Sequence, residues 1–203
     1  EKGDRQGAMH KFGDLGVWPA NQAIVGKVFE DSPAAQARFK VGDHVIAQVR
    51  WGAYAEKVAA PEDRCFVMPE GMDFIGAAAL GTVYPTAHIS LMLRGQYKNG
   101  ERVLVNGAGG GIGLASVQIA KAKGAMVIAG DITEEKRRLA LDNGADHAID
   151  YRDSGWVDQV KELTGGAGAN VIYDPVGGDI FDLSTKCIAS GGRLLVVGFA
   201  GGR

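Results

Sequence analysis

Apolar and polar positions along the chain fall into two regimes that meet near residue 100. From 101 onward, short apolar runs alternate with longer stretches in which apolar positions recur every three or four residues. The runs at 103–106, 125–130, 147–150, 171–174 and 193–199 are near-continuous, the mark of strands buried on both faces. Between them, 111–123, 134–143, 154–163 and 179–188 carry helical spacing. Ile112, Ala115 and Ile119 share one face of the first helix, acids open the second, and Gly124 and Gly144 stop these two. This alternation predicts an α/β fold, a parallel sheet of about five strands wrapped by right-handed crossovers.

Upstream the periodicity weakens. Residues 1–22 are polar and Gly-rich with no clear period. Short strands are predicted at 24–30, 45–49 and 54–58, separated by Asp31-Ser32-Pro33, Val41-Gly42-Asp43 and Trp51-Gly52. They suggest part of a small β-barrel. Residues 61–71 read as a connector. Helices are predicted at 74–80 and 83–93, interrupted near Gly81 and Pro85 and ending before Gly95. The expected division is 1–80 and 81–203.

The candidate chemistry sits where the first strand of the alternating series meets its helix. Gly107-Ala108-Gly109-Gly110-Gly111-Ile112-Gly113 contains Ala108-x-Gly110-x-x-Gly113, the dinucleotide fingerprint with alanine first. A tight turn, close approach to a pyrophosphate and close helix–sheet packing all demand missing side chains, and the helix N-terminus favours the negative charge. Strand before and helix after separate this run from a merely flexible loop. Eighteen residues past Gly113, at the end of the second strand, stands Asp131. An acid there accepts both hydroxyls of the adenosine ribose and repels the extra phosphate of NADP; its alternative is a helix N-cap. Lys136, Arg137 and Arg138 either neutralise that phosphate or form a solvated face.

Composition narrows the partners. A net charge of −2 gives no basic footprint for nucleic acid or an anionic membrane. No apolar run is expected to reach the ~18 residues of a membrane span. Cys65 and Cys187, far apart, argue against a disulfide framework and for a reducing, cytoplasmic compartment. His10, His44, His88 and His147 show no ligand spacing, so no metal, zinc included, is expected. Cys187 reads as core within the last helix. Trp51 and Tyr54 read as core or pocket lining.

These motifs extend into a longer match. Val41-Gly42-Asp43-His44-Val45, Gly52-Ala53-Tyr54-Ala55-Glu56, Ala77-Ala78-Ala79-Leu80, Thr86-Ala87, the stretch 104–113, Gly144-Ala145-Asp146, Asp150-Tyr151-Arg152, Tyr173-Asp174-Pro175-Val176-Gly177-Gly178 and Gly191-Gly192-Arg193 through Gly198-Phe199 stand in family order. Over 24–203 the chain resembles the zinc-independent medium-chain dehydrogenases/reductases of the NAD(P)H:quinone oxidoreductase, zeta-crystallin-like type. The resemblance implies a Rossmann domain at 81–203 lacking its last strand, and a partial GroES-like barrel at 1–80, truncated at both ends of the family pattern. It places Ala108, Gly109, Gly110, Gly111, Ile112 and Gly113 at the pyrophosphate. Lys136 and Tyr151 fall at the 2′-phosphate of NADPH-using members. Thr86, Gly198 and Phe199 fall toward the nicotinamide, and Val176 is counted among the cofactor-binding positions.

The implied activity is hydride transfer from NAD(P)H to a quinone or activated alkene, with a small-molecule acceptor and no identified catalytic side chain. An enoyl-thioester or enone reductase, or a non-catalytic nucleotide-binding fragment, is the alternative. Asp131 tilts the expected cofactor toward NADH. A homodimer is implied for a full-length version.

Overall fold

The apolar runs after residue 101 become the strands of one parallel sheet. In the computed structural model, which describes residues 17–18, 22–23, 39–53, 55 and 57–202, the chain divides into the units Glu1–Thr82 and Val83–Arg203.

In the first unit, β1 (Val17–Trp18) pairs antiparallel with β2 (Gln22–Ala23), and β3 (Val45–Ala47) pairs antiparallel with β4 (Cys65–Val67). The strand expected at 24–30 lies outside the described residues. At 54–58 the described positions form no strand. β4 falls in what the sequence suggests is a connector; Val45 and Cys65 close a small core with Phe39 and Ala60, which gives this segment its reason to pair. Trp51 is not core but 78% exposed.

The two expected helices are one. α1 (Phe74–His88) runs through Gly81 and Pro85 and passes into a π-helical turn at Ile89–Arg94, where the Gly95 N–H donates to the Ser90 carbonyl at 2.7 Å. Proline removes the N–H that would bond the carbonyl four residues earlier. That carbonyl belongs to Gly81, and the Gln48 side-chain amide donates to it instead. The merged stretch Phe74–Arg94 is 21 residues long, and by length and composition alone could cross a membrane. This corrects the expectation that no apolar run reaches that length. Its Leu91 is fully buried against the sheet, while most of the stretch is not buried.

The second unit carries β5 (Arg102–Asn106), α2 (Gly111–Ala122), β6 (Met126–Gly130), α3 (Glu134–Asp142), β7 (His147–Ile149), α4 (Trp156–Leu163), β8 (Ala169–Asp174), α5 (Gly178–Ser184) and β9 (Ile188–Val196). The strand order is β7-β6-β5-β8-β9, all parallel. The two sheet faces take alternate residues. Val103, Val105, Val171 and Tyr173 pack under Val117 and Ala120 of α2, while Leu104, Ile128 and Ile172 pack under Trp156 and Val160 of α4. Fully burying each such aliphatic side chain is worth about 1.5–3 kcal/mol. α2 buries Gly113, Ser116, Val117 and Ala120, one face at helical spacing. It ends at Gly124, whose φ of 84° lets the Ala125 N–H turn back to the Ala120 carbonyl at 3.0 Å; Gly144 ends α3 in the same way.

The last helix is shorter than expected. It stops at Ser184, Cys187 lies in the turn beyond, and Ile188 already begins β9. Cys187 is core nonetheless, at 1% exposure. β9 is irregular at its start. Ala169 pairs with Ile188 but Val171 with Arg193, so β9 carries a bulge of three extra residues there, with Gly191 at positive φ and Ala189 still buried.

Candidate functional site

Sheet order reverses at the β5–β8 pair, and in open parallel sheets ligands bind outside the carboxyl ends at such a point. At those ends lie Asn106 and Asp174, both fully buried. The Asn106 amide donates to Ser184 Oγ at 3.0 Å and, more weakly, to Asp174 Oδ1 at 3.4 Å. Asp174 also accepts the Val176 and Gly177 N–H groups at 2.9 and 3.2 Å. This trio ties the two strand ends together and anchors the turn after β8, and the sequence reading passed over it. The signal was available: polar residues end two adjacent apolar strands.

The turn after β5 has the geometry the fingerprint requires. A Cβ on Gly113 would lie 2.2 Å from the Gly107 carbonyl oxygen and 2.7 Å from Ala108 Cα, so the α2 backbone rests directly on the turn. A Cβ on Gly110 would meet nothing closer than that oxygen at 3.4 Å, so packing within the chain does not demand its glycine. Gly110 caps α2 without a side-chain hydrogen bond, and the first-turn N–H groups of the helix are left for a ligand or solvent. Ala108 is buried; Gly110 and Gly111 are exposed.

On one side of this turn stand the loops after β8 and β9. Gly201 N–H donates to the Val176 carbonyl at 2.7 Å, and Ala200 N–H to the Pro175 carbonyl at 3.2 Å. Val176 reaches to 3.3 Å of the Gly107 Cβ position and 3.1 Å of that of Gly201. Val176, Gly198 and Phe199 are therefore brought beside the glycine turn, Phe199 half-exposed. Thr86 is half-buried on α1, three residues past Val83, whose side chain faces Gly111.

On the other side stand Asp131, Lys136 and Tyr151. Asp131 departs from the expected open acid. It is 2% exposed, its Oδ2 accepts the Gly109 N–H at 2.9 Å, and its Oδ1 accepts the Ile132 N–H at 2.7 Å. The N-cap alternative also fails, because Thr133 takes that place and accepts the Lys136 N–H. Lys136 is exposed, makes no ion pair among the described residues, and has its Cβ 2.4 Å from where a Gly109 Cβ would stand. Arg137 is tied down, donating to the Asp131 carbonyl at 3.1 Å and pairing with Asp150 at 2.9 Å. Arg152 lies on the same Asp150 carboxylate, and chiefly its hydrogen bond holds that carboxyl well below its usual range. The Tyr151 phenol is pushed up to about 12, first by burial and then by the charges of Asp131, Asp174 and Asp150, so it stays a protonated donor. No group of three or more His, Cys, Asp or Glu stands together as a metal-ligand set among the described residues.

A parallel sheet in this strand order, a glycine turn at its reversal point and loops 175–177 and 198–201 beside it define a dinucleotide-type fold. The zinc-binding dehydrogenase family matches residues 111–203. The relatives the chain is similar to are named quinone oxidoreductases. The chain is 41% identical over 181 residues, 88% of its length, to the quinone oxidoreductase-like protein 2 homolog of Nematostella vectensis, of which it covers 49%. It superposes on the quinone oxidoreductase of Pseudomonas syringae with a TM-score of 0.78, at 33% identity, over 93% of this chain and 57% of that one. For the quinone oxidoreductase of Thermus thermophilus, solved also in complex with NADPH, the TM-score is 0.72 at 34% identity, over 80% of this chain and 52% of the other. The chain thus spans about half the length of the curated relatives it matches.

Proposed function

We propose that the Val83–Arg203 unit holds a nicotinamide dinucleotide for an oxidoreductase that passes a hydride to a quinone or another electron-poor alkene. The observation that carries this is the contrast between two glycines: Gly113 is required by packing, whereas the position above Gly110 is open. That is the space a pyrophosphate takes at a helix N-terminus. In this reading Ala108, Gly109, Gly110, Gly111, Ile112 and Gly113 form the phosphate turn. Thr86, Val176, Gly198 and Phe199 bracket the nicotinamide, and Lys136 and Tyr151 face the adenosine 2′ position.

The bound dinucleotide supplies the hydride. A quinone needs no general acid from the protein, because solvent can protonate the reduced ring, so no side chain here is given a proton-transfer role. The work of the chain is positioning and exclusion of water. Asp131 is buried and accepts one backbone N–H at each oxygen, so in this reading its first task is to hold the turn, not to choose the cofactor. Lys136, exposed and next to the turn, favours NADPH instead. Zinc is assigned no part in this reading, on the sequence spacing of His10, His44, His88 and His147, which is not that of a ligand set. Cys65 and Cys187 are both buried and are read here as thiols of a reducing compartment.

The test is fluorescence titration of the chain with NADPH and NADH, followed by quinone-dependent oxidation of the tighter-binding one. Saturable binding, unaffected by prior chelator dialysis, and quinone-dependent oxidation are expected. Absence of saturable binding to either dinucleotide overturns the proposal.

A further inference from the structure

We propose that Asp131 is a positioning residue for the dinucleotide, acting through the peptide of Gly109, and that it does not select against the 2′-phosphate. This rests on the dinucleotide reading above. The carboxylate is at the end of β6, where an acid is expected to take the ribose hydroxyls. Yet it is 2% exposed, and its two oxygens accept the Gly109 N–H at 2.9 Å and the Ile132 N–H at 2.7 Å.

Gly109 is held from the opposite side too. A Cβ there would lie 2.4 Å from Lys136 Cβ and 2.8 Å from Lys136 Cα, so the first turn of α3 presses on this peptide and no side chain fits between them. The second glycine of the turn is thereby clamped between a strand-end carboxylate and the start of a helix. The bond from Ile132 N–H holds the carboxylate at Oδ1, and the charge-assisted bond from Gly109 N–H to Oδ2 then fixes the direction of that peptide, and with it the path of Gly110 and Gly111 into α2. The groups facing Asp131 fit a structural anion. Arg137 reaches its backbone carbonyl, not its carboxylate, and the charge is answered by backbone dipoles. Tyr151 feels the carboxylate only at a distance, as one of several charges raising its phenol.

Asp131→Asn separates the two roles. The amide keeps one acceptor but presents a second donor, so it can satisfy Gly109 or Ile132 and not both. As a brace, Asp131 serves either dinucleotide, and the affinity of Asp131→Asn for NADPH and for NADH falls together, roughly tenfold for one lost charge-assisted bond. As a ribose acid repelling the 2′-phosphate, its loss weakens NADH alone and leaves NADPH unchanged or tighter. Amide exchange gives the second readout. In the unsubstituted chain the Gly109 N–H should exchange slowly, and stay slow when NADH is added. In Asp131→Asn the Gly109 or Ile132 N–H should speed up, while Val105 and Ile128 in the core strands do not; a general loss of stability would move all of them. NADPH affinity unchanged or raised in Asp131→Asn, or a Gly109 N–H that exchanges freely or is released by NADH in the unsubstituted chain, overturns the proposal. Should Asp131→Asn fail to fold, the measurements on the unsubstituted chain still decide. Failure of both dinucleotides to bind the unsubstituted chain removes the functional reading itself.

Discussion

Replacing Gly113 by alanine puts a methyl group 2.2 Å from the Gly107 carbonyl oxygen, 2.7 Å from Ala108 Cα and 2.8 Å from Ala108 C. Every one of these is backbone, so no rotamer change relieves the clash. Reaching even the 3.0 Å that real Cβ contacts respect moves α2 outward by about 0.8 Å. Val117 and Ala120, packed on β5 and β6 from that helix, move with it. Overpacking of a rigid core costs about 1–3 kcal/mol, and a backbone-only clash belongs at the upper end. At this chain length that is a fall in Tm of roughly 5–10 °C. Gly110→Ala is the control within the same turn. Its methyl group meets only the Gly107 oxygen at an ordinary 3.4 Å, and its φ of −83° suits any residue. Its stability should change by less than about 1 kcal/mol, the scale of a lost glycine N-cap. Both substitutions should lower dinucleotide affinity at least tenfold, Gly113→Ala by displacing the helix N-terminus and Gly110→Ala by filling the space before it. Thermal denaturation and fluorescence titration on the two variants measure this. Gly110→Ala with unchanged affinity, or Gly113→Ala with unchanged Tm, would refute the division of roles.

Lys136→Met should raise the Kd for NADPH roughly tenfold while leaving that for NADH within a factor of two, the scale of one exposed charge near a phosphate; equal effects on both would remove Lys136 from the 2′ position. Glu101, doubly bonded to Arg193 at 2.7 and 2.8 Å, has its carboxyl lowered chiefly by that hydrogen bond. A lowered folded value means the pair stabilises above the ordinary value of 4.5 and loses its contribution as pH falls below it. Glu101→Gln should therefore lower Tm at pH 7 and flatten its decline between about pH 5 and 3, and an unchanged acid limb would count against the pair. The Cys187 thiol is pushed up to about 11 by burial, so in the folded chain it should resist alkylation at pH 8 and react only after denaturant is added.

The alternating half of the fold was legible because its strands are buried on both faces. Val103-Leu104-Val105 and Val171-Ile172-Tyr173 are apolar without interruption, and their boundaries came within one or two residues. Helix ends were legible where a glycine at positive φ stops them. What the sequence concealed depends on partners far along the chain. Pro85 marks a break by local rules, and only Gln48, 33 residues before Gly81, explains why the helix continues. β4 exists because Cys65 finds a core with Val45. The spacing from Gly113 located Asp131 at the strand end, but no spacing rule says that two backbone N–H groups have already taken its oxygens.

The bulge at the start of β9 has a consequence for how this domain tolerates change. The register from Val171–Arg193 to Asp174–Val196 fixes where Val197, Gly198 and Phe199 leave the sheet, and the bulge precedes it. Ser190 and Gly191 are exposed, and a side chain at Gly191 would touch nothing. Ala189 is buried and Gly192 packs against Ile188 and the carbonyls of Ala169 and Ala189, so only the Ser190–Gly191 tip is free of packing. A short tag inserted between Ser190 and Gly191 is expected to leave the site end of β9 in register, whereas deletion across 189–192 is expected to disturb the core.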